Sequence, residues 1–86
     1  MTIEEVANKL KKKYPKGWFT VEGDTIRSGE GSYANDDYDL FNYWSMEWVV
    51  GCKYEMGVYK ELAEFVGDLG YHWEAVNAGT HRLYKD

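Results

Sequence analysis

The chain has one cysteine, Cys52, and one proline, Pro15, in 86 residues. A lone thiol excludes an internal disulfide and also the paired Cys or Cys/His spacing of a structural zinc site. Long hydrophobic runs are missing too: Trp48-Val49-Val50 falls far short of the roughly 20 apolar residues of a membrane helix. With no signal-peptide pattern, the expected setting is the reducing cytoplasm, with no membrane partner.

Positive charge is scarce, and half of it sits in one place. Lys9, Lys11, Lys12, Lys13 and Lys16 oppose only Glu4 and Glu5 in the first sixteen residues, whereas five cations oppose thirteen acids in the remainder, for a net charge of −5. An acidic body repels phosphate backbones and is drawn to basic surfaces, including those that hold nucleic acid.

Aromatic residues are abundant, with four Trp, eight Tyr and three Phe. That content points to a folded single domain spanning residues 1–86 rather than an acidic disordered chain, and a domain this small must bury several large side chains together.

Thr2 followed by Glu5 matches a capping box, and Ile3, Val6, Ala7, Leu10 and Tyr14 recur at helical spacing before Pro15-Lys16-Gly17, so a first helix is predicted over about 3–14. Its lysines lie near the C-terminal end, where they complement the helix dipole without needing a ligand. Trp18–Glu22 and Thr25–Ser28 flank Gly23-Asp24 and read as a hairpin with a type II′ turn. Residues 29–37 are loop-like. Tyr38–Val50, aromatic and β-branched, is predicted as one bent strand or two. Gly51–Gly57 reads as a connection, Val58, Leu62, Phe65, Val66 and Leu69 mark a second helix closed by Gly70, and Tyr71–Val76 with His81–Tyr84 form a last hairpin. The order α-β-β-β(β)-α-β-β predicts an α+β domain, an antiparallel sheet of about five to six strands with both helices on one face.

Candidate chemistry is sparse. With Val76 opposite His81, the side chains of His72, Glu74 and His81 would share a face, but two ordinary strand histidines explain the pattern without a metal. Asp36, Asp37 and Asp39, or Glu47 with Glu55, lack the fixed separation and enclosed setting of a hydrolase pair. Cys52 beside Val50 and Gly51 reads as a small buried residue, and Gly29-Glu30-Gly31-Ser32 is no phosphate loop. No catalytic residue, metal or cofactor is implied. A carbohydrate-binding module built on exposed aromatics fits poorly with a cytoplasmic setting.

In the run 38–50, Leu40, Asn42, Trp44, Met46 and Trp48 share one strand parity and are expected to face the helices, leaving Asp39, Phe41, Tyr43 and Glu47 outward. The resulting candidate partner-binding surface comprises Glu30, Tyr33, Asp36, Asp37, Tyr38, Asp39, Phe41, Tyr43 and Glu47, with acids selecting a basic partner and aromatics anchoring it. The alternative is a nucleic-acid accessory protein working through Lys9, Lys11, Lys12, Lys13 and Lys16, which the acidic body disfavours. A second copy of the chain, packed through the aromatic face, is a further candidate partner.

Gly57-Val58-Tyr59, Phe65, Gly70-Tyr71-His72-Trp73-Glu74 and Ala78-Gly79-Thr80 resemble small accessory proteins carried by phages and prophages of Gram-positive bacteria. The resemblance covers the C-terminal third and has no catalytic signature. It implies a mobile-element protein, a setting in which short acidic proteins such as anti-CRISPR proteins and DNA mimics block host defence proteins.

Overall fold

The computed structural model describes residues 1–42 and 53–86. Helix α1 spans Ile3–Lys13 and opens on the predicted capping box: the Glu5 backbone N–H donates to Thr2 Oγ1 at 3.2 Å, and the Thr2 N–H donates to Glu5 Oε1 at 3.1 Å. Hydrogen bonds from Thr2 hold the Glu5 carboxyl below its ordinary range. Val6, Ala7 and Leu10 form the buried stripe.

Strands β1 (Thr20–Glu22) and β2 (Thr25–Gly29) pair antiparallel around Gly23-Asp24. Gly23 has φ of 64° and Asp24 has no positive φ, as a type II′ turn requires. After the long loop come β3 (Tyr54–Glu55) and β4 (Val58–Tyr59), then α2 (Lys60–Asp68), β5 (Tyr71–Asn77) and β6 (Thr80–Lys85). Two sheets result. One has four antiparallel strands in the order β1-β2-β6-β5, and the other is the β3-β4 ribbon. The fold is α+β as expected, but the described strands divide between two sheets instead of joining one of five or six.

Ile26 of β2 lies opposite Leu83 of β6, which lies opposite Trp73 of β5, so these three define the inward face of the main sheet. Val6 and Leu10 of α1, Leu62 and Val66 of α2, and Leu40 from the loop join Ile26 and Leu83 in one core cluster. On the outward face Glu22 bridges two arginines, with Arg27 Nε at 3.0 Å and Arg82 Nη2 at 2.8 Å.

Four differences from the sequence reading have physical causes. The expected connection at 51–57 holds β3 and the turn of the β3-β4 hairpin, whose residues Met56 and Gly57 both take positive φ, 53° and 81°. Helix α2 therefore begins at Lys60 rather than Val58, which belongs to β4. In the last hairpin a bulge at Val76 shifts the register, so His81 pairs with Ala75 and not with Val76. One residue of slip reverses the face: His81 turns inward, and it does not join His72 and Glu74.

The fourth concerns Phe41, which the strand parity places outward. It is only 7% exposed, while its neighbour Leu40 is fully buried. Residues 39–42 make isolated bridges, Tyr33 with Asp39 and Phe41 with Val58, rather than a strand of the main sheet. Leu40 and Phe41 are consecutive and both buried, so this stretch does not alternate between a core face and a solvent face. The expectations for Tyr43, Trp44, Met46, Glu47, Trp48 and Cys52 lie outside the described residues.

Candidate acidic binding site

The loop after β2 is built around two buried hydroxyls. Ser28 Oγ donates to the Trp18 carbonyl at 2.6 Å and lies 3.1 Å from Ser32 Oγ, which accepts the Trp18 backbone N–H at 2.9 Å. Trp18 Nε1–H donates to the Glu30 carbonyl at 2.9 Å, and the Glu30 N–H donates to Gly79 in the β5–β6 turn at 2.9 Å. These bonds fix the backbone of Glu30. Asp39 is fixed from the other side, because Tyr54 Oη donates to its carbonyl oxygen at 2.7 Å. Burial, then the charge of Asp39, push the Tyr54 hydroxyl pKa up to about 12.

Glu30, Gly31, Tyr33, Asp39, Phe41, Asn42 and Ala78 line a cavity of about 370 Å³. Four of the residues expected from sequence therefore meet at one place: Glu30 and Asp39 as exposed carboxylates, Tyr33 as a 46% exposed ring, and Phe41 as a buried wall. Two carboxylates beside an aromatic ring favour a cationic side chain, which gains charge-assisted hydrogen bonds and a ring face together.

The other expected residues are arranged differently. Asp36 and Asp37 sit at the loop tip in a turn where Asn35 Oδ1 accepts from the backbone N–H groups of Asp37 and Tyr38, at 2.8 and 3.0 Å. Asp36 forms an ion pair with Lys16. Tyr38 faces the ribbon, its ring centroid 5.9 Å from that of Tyr59, with the Lys53 ammonium 5.9 Å above it.

No family model matches this chain. Neither does a curated protein or a solved structure.

The basic residues do not make a separate uniform patch. Lys13 lies 3.6 Å from Glu61 and over the Phe65 ring at 5.2 Å, and Lys16 is held by Asp36, while Lys9, Lys11 and Lys12 are exposed on α1. Acids thus draw two of the five lysines toward the body. His72 is on the outward sheet face between Glu74 Oε2 at 2.7 Å and Asp86 Oδ1 at 2.5 Å, and hydrogen bonds to Glu74 and then Asp86 raise its pKa. Among the described residues no group of three His, Cys, Asp or Glu is arranged to hold a metal ion.

Gly31, Asn42 and Ala78 were not legible as cavity residues. Ala78 arrives through the β2–β6 pairing, which brings the turn of the last hairpin beside Glu30. The small residues of Ala78-Gly79 and Gly29 are the sequence trace of that approach.

Proposed function

We propose that this protein acts by binding rather than by catalysis: its acidic cavity receives a lysine or arginine side chain from a basic surface of a partner protein. The observation that carries this reading is the convergence of Glu30, Asp39, Tyr33 and Phe41 on one concave site in a chain of net charge −5. Acidic charge over the loop tip steers the encounter, and the cavity supplies the anchor point. Because nucleic-acid-binding sites are basic, occupying one would make the protein an inhibitor that mimics DNA. The resemblance of its C-terminal third to phage and prophage proteins makes a host defence protein the proposed target, in the manner of an anti-CRISPR protein.

The test is affinity purification of the tagged chain beside a Glu30→Lys/Asp39→Lys variant. A basic protein retained by the first and released by the second, with retention weakening as salt rises, is the expected result. Equal retention by both variants defeats the proposal.

A further inference from the structure

His81 is 1% exposed, and among the described residues neither Nδ1 nor Nε2 meets a hydrogen-bond partner. Buried polar side chains are ordinarily satisfied, so an imidazole buried without a protein partner is out of the common pattern. Its ring is stacked on Phe41, with centroids 4.4 Å apart and planes at 27°, and Phe41 meets the edge of Trp73 at 4.9 Å. Phe41 is also the inner wall of the acidic cavity. A proton-binding group therefore stands directly behind that wall.

Among the described residues no acidic side chain pairs with His81. On the inward face β2 presents the buried Ser28 and Ile26, β5 presents the half-buried Trp73 and, directly opposite His81, the exposed Ala75, and β6 itself presents Leu83. The helices turn Val6, Leu10, Leu62 and Val66 to the same core. Of the titratable groups of these strands, Tyr71 and Lys85 share the inward face but stand opposite each other at the far end of β5 and β6 from His81; the others lie on the outward face, with Arg27 opposite Arg82, Arg82 opposite Glu74, and His72 opposite Tyr84. Glu30 is exposed at the cavity, beyond the end of β2. Burial accordingly pushes the His81 pKa below its ordinary value. The face of Phe41 attracts an imidazolium and offsets part of this cost, without supplying the counter-charge that a buried cation needs.

We propose that His81 is a proton-sensitive latch on the acidic cavity: neutral, it holds Phe41 in place as the wall, and on taking up a proton it leaves the core, so that wall and cavity open together. This rests on the cavity being the binding site. The consequence is a complex that releases as pH falls below the ordinary range of histidine titration.

The experiment follows the full chain and the variants His81→Leu, His81→Gln and His72→Gln from about pH 7.5 to about pH 5, a window that reaches below ordinary histidine titration. Two measurements are made: affinity for a polyarginine peptide, whose charge is constant throughout, and the NMR resonances of the His81 and Phe41 rings. The expected result for the unmodified chain is an affinity falling about tenfold per pH unit below the His81 transition, with the Phe41 resonances moving at the same midpoint. Both His81 variants, each normalised to its own neutral value, hold their affinity, and His72→Gln behaves like the unmodified chain. Should His81→Leu fail to fold, His81→Gln carries the comparison. Parallel losses with and without His81, or a His81 titration that leaves Phe41 unmoved, overturn the latch. Failure of polyarginine to bind at neutral pH overturns the cavity reading alone, since coupling between the two ring titrations still decides whether His81 opens the wall.

Discussion

Tyr14 Oη donates a hydrogen bond to Glu61 Oε1 at 2.9 Å, joining the end of α1 to the start of α2 across 47 positions of sequence. Tyr14→Phe removes this link while leaving Glu61 near Lys13, so the carboxylate keeps a partner. The expected cost is about 1 kcal/mol, read from urea or thermal melts.

The same hydroxyl sets a pH dependence. Burial, followed by the Glu61 hydrogen bond and charge, raises the Tyr14 pKa, and Tyr54 is pushed up to about 12. Above about pH 10 the unfolded chain releases these phenolic protons while the folded chain keeps them, so stability falls as pH rises. Urea midpoints measured at about pH 9 and about pH 11 should differ for the unmodified chain and converge for Tyr14→Phe/Tyr54→Phe. Equal midpoints in the unmodified chain contradict the assignment.

In the proposed complex the cavity carboxylates and the loop-tip carboxylates have different roles. Glu30→Lys with Asp39→Lys, which alters the cavity, should abolish binding of a basic partner. Asp36→Lys with Asp37→Lys, at the loop tip, should chiefly slow association and flatten its salt dependence. Surface plasmon resonance at two salt concentrations separates the two outcomes; identical effects from both pairs would mean that only net charge matters.

Met56 stands at φ 53° in the β3–β4 turn, where the following Gly57 has φ 81°. Asparagine tolerates that backbone better than methionine and completes an Asn-Gly turn. Because the Met56 side chain is 60% exposed, little packing is lost. Met56→Asn should stabilise the fold by roughly 0.5–1 kcal/mol, and an unchanged or lowered denaturation midpoint would refute this.

Gly29 is required for a steric reason. A Cβ there would lie 2.1 Å from the Gly79 carbonyl oxygen, inside the β2–β6 approach that also brings Ala78 to the cavity. Gly29→Ala should cost about 3 kcal/mol or more, and chemical denaturation measures it directly.

Local signals carried much of this fold in the sequence. Thr2 and Glu5 announced the start of α1, Gly23 the first turn, and the apolar spacing of Leu62 and Val66 the second helix. What escaped depended on partners distant in sequence or on a single inserted residue. Nothing local marks Val76 as a bulge, yet that bulge turns His81 from the surface into the core. Met56-Gly57 lacks the usual turn composition because the positive φ of Met56 is imposed by the pairing around it. The acids of the site were visible as composition; their division into two cavity carboxylates and a loop tip was set by Tyr54, Trp18 and Gly79.

The main sheet runs β1-β2-β6-β5, which places the last strand in sequence between its two partners. During synthesis, β2 and β5 emerge from the ribosome with a vacancy between them that Thr80–Lys85 alone fills. The local hairpin β1-β2 needs no later residue, but the four-stranded sheet can be completed only once β6 is free of the exit tunnel.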